Sequence, residues 1–187
     1  MNTTSIAEIA SNFVNGTERH VFLTGKAGTG KTTFLKEISQ NSLKQTIVAA
    51  PTGIAAINAG GVTLHSLFQL PFGAFLPDNF NSNLYTEKGK IHTPNSLLKE
   101  HRMNEVKRRL LREVELLIID EVSMLRADLL DAIDTILRHV RRKKNIPFGG
   151  VQLLFIGDLL QLPPVVHDAE MKVLKTYYST PFFFEAQ

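Results

Sequence analysis

Four short runs, "HVFLT" (20–24), "TIVAA" (46–50), "VELLIID" (114–120) and "VQLLFIG" (151–157), are apolar almost without interruption. A strand with one wetted face alternates between apolar and polar residues, so unbroken runs of Val, Ile, Leu and Phe imply strands covered on both faces. Helical patterns lie between them. That alternation predicts an α/β fold, a parallel sheet with right-handed crossovers and helices on both faces. The clearest helix is 127–143, where Leu129, Leu130, Ile133, Ile136, Leu137 and Val140 recur at three- and four-residue spacing and form one apolar stripe. Asp128, Asp131 and Asp134 sit toward its start and Arg138, Arg141 and Arg142 toward its end, as the helix dipole favours. The three acids read as a solvated face.

With 187 residues, 43% of them apolar, one domain can bury a substantial core. The absence of cysteine excludes disulfides, thiolate metal sites and thiol nucleophiles. The start "MNTTSIAEIASNF" lacks the basic residues and continuous apolar stretch of a signal peptide. No apolar run is long enough to cross a membrane, so the expectation is a cytoplasmic protein without a membrane partner. A net charge of +3 is compatible with a polyanionic partner and decides little by itself. The basic segments 99–112 and 141–144 read as solvated faces and receive no role. Residues 69–100 break the alternation with Pro, Gly and Asn, and a connection of this length reads as a functional insertion.

Directly after the first run stands "GKAGTGKTT" (25–33), followed by the helical "KTTFLKEI". Gly25, Gly30, Lys31 and Thr32 satisfy the phosphate-loop pattern in its required strand-loop-helix context. Backbone N–H groups can wrap phosphate oxygens only where side chains do not crowd them, which explains Gly25, Gly28 and Gly30. The candidate nucleotide-binding set is Gly28, Thr29, Gly30, Lys31, Thr32 and Thr33. Lys31 is expected on the β and γ phosphates and the Thr32 hydroxyl on Mg²⁺. "LLIIDEVSML" (116–125) ends an apolar run with two acids. Asp120 suits the Mg²⁺ shell and Glu121 the orientation of an attacking water, which favours hydrolysis over transfer to a second substrate. The competing reading is a pair of acids that cap a strand end.

"APTGIAAINAGGVTLHSLF" (50–68) and "GGVQLLFIGDLLQLPPVV" (149–166) narrow this further. Taken with the phosphate loop and "IIDEVSML", they resemble the Pif-type DNA helicases of superfamily 1, the RecD-like branch. The resemblance implies an ATPase motor of two RecA-like domains moving 5′ to 3′ on single-stranded DNA and separating duplexes at a fork. It makes Lys31, Asp120, Glu121 and Gln161 the catalytic set, with Gln161 sensing the γ-phosphate. It places Thr52, Gly53, Thr63 and His65 on the single-strand backbone. On the residues alone, Gln161 is an ordinary loop amide and His65 divides between a structural histidine and a ligand. Glu8 stands where the family usually has an adenine-reading glutamine, and a carboxylate cannot donate to adenine N7. The chain stops where the first RecA-like domain of the family ends, so the expectation is half a motor, without the second domain and its arginine finger. The insertion coincides with a small wedge subdomain of the family, although Phe72, Phe75, Phe80 and Tyr85 read first as packing residues. Two rival readings are a self-sufficient phosphate-loop NTPase without a DNA partner and a non-catalytic nucleotide-binding module.

Overall fold

The computed structural model describes residues 5–78, 85–86 and 89–187, with backbone alone described at 85–86 and 89–90. The first half runs α1 (Ile6–Gly16), β1 (Val21–Thr24), α2 (Lys31–Asn41), β2 (Thr46–Ala50), α3 (Gly53–Ala59), β3 (Val62–Thr63), α4 (Leu64–Phe68), β4 (Ala74–Phe75), β5 (Tyr85–Thr86) and β6 (Gly89–His92). The second runs α5 (Pro94–Glu100), α6 (Glu105–Glu113), β7 (Leu116–Ile119), α7 (Ala127–Val140), β8 (Gln152–Gly157) and α8 (Asp168–Leu174).

Five strands form the main sheet in the order β1-β8-β7-β2-β3, and every ladder in it is parallel. β7 lies at the centre and all four of its residues are buried. Successive side chains leave a strand on opposite faces. Leu117 and Ile119 accordingly pack with Ile133, Ile136 and Leu137 of α7, while Leu116 and Ile118 pack with Phe34, Leu35 and Ile38 of α2 and Val14 of α1. The α/β reading with helices on both faces therefore holds. β1 departs from it, since its residues alternate in burial and Phe22 is 39% exposed. β1 is an edge strand, and an edge has less cover than a centre. The two-residue β3 is an addition that no sequence pattern announced.

The turn into β3 is sterically tight. A Cβ on Gly61 would stand 2.3 Å from the Val48 carbonyl oxygen, whereas Gly60, at φ 68°, has open space around it and ends α3.

α7 stops three residues before the expected 143, because Arg142 takes a left-handed backbone (φ 58°). The Arg141 guanidinium there donates to the carbonyls of Leu111, Arg112, Val114 and Gly149. The solvated reading of the three α7 acids is wrong: Asp128, Asp131 and Asp134 are all buried. Asp128 accepts from Arg126 Nε and Nη2 at 2.9 and 2.7 Å and from the Phe75 N–H at 3.0 Å. Asp131 accepts from the Tyr178 hydroxyl and the Gln187 N–H, and Asp134 accepts from the Phe148 N–H and pairs with Arg138. Segments before and after α7 in the chain fold over its polar side, so the acids become internal ligands of the fold.

The insertion contributes a second, three-stranded sheet in the order β4-β6-β5. Among the described residues, it also contains a regular helix. Thr93 and Ser96 form a capping box that starts α5, and Leu97 enters the main core together with Phe75. Phe72 is 89% exposed. Phe80 and the Tyr85 side chain lie outside the described residues, and so do residues 79–84 and 87–88 of the stretch read as a possible wedge.

Gly61→Ala is expected to lower unfolding stability by about 2–3 kcal/mol, since the added methyl must displace backbone rather than a side-chain tip. Gly60→Ala should cost only about 1 kcal/mol from its left-handed backbone. Urea unfolding of the two variants checks the order.

Candidate nucleotide and nucleic-acid site

Parallel ladders make β1, β2, β7 and β8 leave the sheet at the same end, the end where such sheets bind ligands. The phosphate loop follows β1 there, and Gly28 (φ 79°) and Gly30 (φ 91°) supply left-handed backbone within it. Gly30 also starts α2 with no side-chain cap, which leaves the first helical N–H groups to face the loop. A Cβ on Gly25 would come within 2.7 Å of the Thr29 hydroxyl, which itself donates to the Lys26 carbonyl at 2.8 Å and closes the turn. The Lys31 ammonium donates to the carbonyls of Gly25 and Lys26 and so lies over the loop. Gly28, Thr29, Gly30, Thr32 and Thr33 are exposed.

Asp120 follows β7, its N–H bound to the Ala49 carbonyl at 2.9 Å. Glu121 adopts φ 50°, ψ 42° and begins a short 3-10 turn over Val122–Met124. A left-handed glutamate costs about 1 kcal/mol and redirects its side chain away from the strand axis. Burial pushes the Asp120 carboxyl up, opposed by the Glu121 N–H and by the Lys31 charge. Burial, then the adjacent Asp120 and the more distant Asp158, push Glu121 up, with Lys31 again opposing. Two adjacent carboxylates in a partly buried site, the charge of Asp120 raising Glu121, fit a divalent cation.

After β8, Asp158 holds the turn. Its Oδ1 accepts the Leu160 N–H at 3.1 Å, its backbone carbonyl accepts the Gln161 N–H at 3.0 Å, and its Oδ2 accepts the Gln161 side-chain amide at 3.3 Å. The result is a cavity of about 490 Å³ whose walls include Thr32, Asp120, Glu121, Ser123 and Gln161. Thr32, Asp120, Glu121 and Gln161 therefore meet beside the phosphate loop, with Lys31 close enough to act on both carboxyls. Asp158 is missing from the sequence reading, although its Asx-type spacing to Leu160 was a usable signal. Ser123 is missing as well. It is fully buried, and its hydroxyl has no hydrogen-bond partner among the described residues.

Thr52 and Thr63 are helix caps. Their hydroxyl oxygens accept the N–H groups of Ala55 at 3.2 Å and Ser66 at 3.1 Å, which leaves each O–H proton free to donate outward. Gly53 is exposed at the first position of α3. His65 stacks on Phe72 with ring centroids 5.9 Å apart. Burial and the Arg126 charge hold its imidazole below the ordinary value, against a pull from Asp128. Thr52 and His65 share a second cavity of about 380 Å³ with Phe72, Arg126 and Glu170, and neither Gly53 nor Thr63 lines it. Arg126 bridges Asp128 and Glu170 on this wall and has no counterpart in the sequence reading. Glu8 has a structural use, because its carboxylate accepts the Ser5 N–H at 2.8 Å in the capping box of α1.

A family profile described as PIF1-like helicase matches residues 2–177. The ATP-dependent DNA helicase PIF1 of Saccharomyces cerevisiae is 38% identical over 169 residues, covering 88% of this chain and 17% of that protein. Crystal structures of Bacteroides Pif1, one bound to single-stranded DNA and one in complex with ADP-AlF4, each superpose with a TM-score of 0.82 at 49% identity. Each match covers all of this chain and 39% of the Bacteroides chain. The chain thus spans well under half of the proteins it matches.

Glu121→Gly removes the carboxylate and the left-handed penalty together. Thermal stability is expected to stay level or rise by up to about 1 kcal/mol, while any hydrolysis supported by this site is lost. Calorimetry and a phosphate-release assay on the same preparation separate the two effects.

Proposed function

The chain belongs to the PIF1-like helicase family, and from that premise we propose that it is the first, ATP-binding half of a DNA helicase motor. The observation that carries the reading is the cavity in which Thr32, Asp120, Glu121 and Gln161 converge beside the phosphate loop. ATP is the substrate, its phosphates held by the loop N–H groups and by Lys31 as a point charge. Thr32 and Asp120 supply the two hard oxygen ligands that Mg²⁺ commonly takes from protein when phosphates and water complete its shell. Bound there, the ion would supply charge neutralisation to the phosphate oxygens.

Glu121 accepts a hydrogen bond from the attacking water and orients it. Its raised pKa makes it a better base than an ordinary glutamate. The Gln161 amide, tethered to Asp158, donates to the γ-phosphate and changes partner after cleavage. The Thr52 and Thr63 hydroxyls, the Gly53 backbone and His65 form the contact to single-stranded DNA, reading phosphates rather than bases. A second RecA-like domain completes the motor and supplies the arginine finger. The whole then moves 5′ to 3′ and opens duplexes at a fork.

Lys31→Ala is expected to weaken ATP binding by about two orders of magnitude, the scale of a lost hydrogen bond to a charged group. Glu121→Gln should retain binding, and titration calorimetry distinguishes them. ATP hydrolysis should be slow in this chain alone and strongly stimulated by single-stranded oligonucleotide once the second domain is supplied in the same polypeptide. Rapid hydrolysis by the chain alone, indifferent to oligonucleotide, would instead establish a self-sufficient NTPase.

A further inference from the structure

The two basic segments 99–112 and 141–144 are far apart in sequence, yet the fold brings them around one cavity of about 590 Å³. Arg108 and Arg112 reach it from α6, Arg142 and Lys144 from the turn after α7, and His101 and His139 complete the polar wall. Leu98, Met103 and Val140 form an apolar lining, and no carboxylate lines the cavity. A neighbouring cavity of about 430 Å³ shares Arg112, Val140 and Arg142 and adds Lys143. The basic wall is therefore continuous across two concavities.

These charges are poorly neutralised. Arg108 and Arg112 share a single exposed partner, Glu105, at 3.7 and 3.4 Å. Among the described residues, Arg142, Lys143 and Lys144 have no ion pair. Burial, then His101, Arg108 and Lys144, hold the His139 imidazole below its ordinary value, so the cluster already works against further positive charge. Solvated surface cations diverge into water, but these converge. An anion would relieve their repulsion.

The position separates this surface from the site already described. Arg112 lies just ahead of the first residue of β7, and Arg142–Lys144 lie ahead of β8, whereas Asp120 and Gln161 follow the last residues of those strands. The two sites are at opposite ends of the sheet. The wall carries more cations than one phosphate needs. Neither cavity is lined by Phe, Tyr or Trp, and the only rings are the imidazoles of His101 and His139, so there is no broad stacking platform for unpaired bases. A duplex presents successive phosphates with its bases already stacked.

We propose that Arg108, Arg112, Arg142 and Lys144 form a second DNA contact, which takes the sugar–phosphate backbone of double-stranded DNA without reading sequence. The choice of DNA as the polyanion rests on the helicase reading.

The test is fluorescence anisotropy of a labelled blunt duplex and a labelled single strand over a salt series, comparing the parent with the double variant Arg142→Gln, Lys144→Gln. Duplex affinity is expected to fall about tenfold, and the slope of log K against log salt to flatten by about 1.8, two phosphate contacts at roughly 0.9 each. Single-strand and nucleotide affinities should be unchanged, which also reports intact folding. The pair Arg108→Gln, Arg112→Gln should reproduce the loss from the other side of the cavity. Unchanged duplex affinity and slope in both variants overturns the proposal. So does a loss confined to polyglutamate, which would make the partner an acidic protein, or one confined to inorganic pyrophosphate, which would make it a small anion. If the duplex effect appears but single strands never stimulate hydrolysis in the two-domain protein, the helicase reading fails and the duplex site stands.

Discussion

Everything at the candidate site depends on the parallel direction of the main sheet. The β1-β8, β8-β7 and β7-β2 ladders put the phosphate loop, the Gln161 turn, the Asp120–Glu121 pair and Thr52 at one end, although more than 130 residues separate the first from the last in the chain. An antiparallel pairing of any one strand would carry its segment to the far end and dismantle the cavity. The helical crossovers between the strands set the direction, and the burial of β7 on both faces holds its register. A strand with no wetted face has no low-cost alternative register, because any slip moves apolar side chains between two cores that are already filled.

A second layer of organisation is polar. Arg126 lies between Asp128 and Glu170, and Asp128 also accepts the Phe75 N–H, so one buried cluster ties β4, the start of α7 and α8 together. Ion pairs of this kind contribute little net stability, since desolvation offsets most of the attraction. They do fix geometry. Here the tied segments carry the wall of the cavity that holds His65 and Phe72. Asp131 with Tyr178 and Asp134 with Phe148 anchor two further segments to the same helix.

What the sequence revealed and what it hid divide along the reach of the interactions. The phosphate loop and the Asp-Glu pair were legible because their chemistry is local and their spacing is set by backbone geometry. The sheet was legible because burial on both faces leaves an unbroken apolar run. The α7 acids were misread because their partners Tyr178, Gln187 and Phe148 come from other parts of the chain, and a helical wheel cannot show which side later segments will cover. The end of α7 was hidden in the left-handed backbone of Arg142, an uncommon choice for that residue. Glu121 carries the same backbone for a different end, the direction of one carboxylate. Neither conformation leaves a compositional trace.

Thr52 and Met124 each line both the cavity of Asp120 and Gln161 and the cavity of His65 and Phe72. A wall common to two compartments is a surface through which they can be linked. Whatever fills one side and moves that wall changes the free energy of filling the other, and reciprocity requires the two effects to be equal. A chemical step on one side can then be felt as a change of grip on the other, with no messenger longer than a single threonine and a methionine.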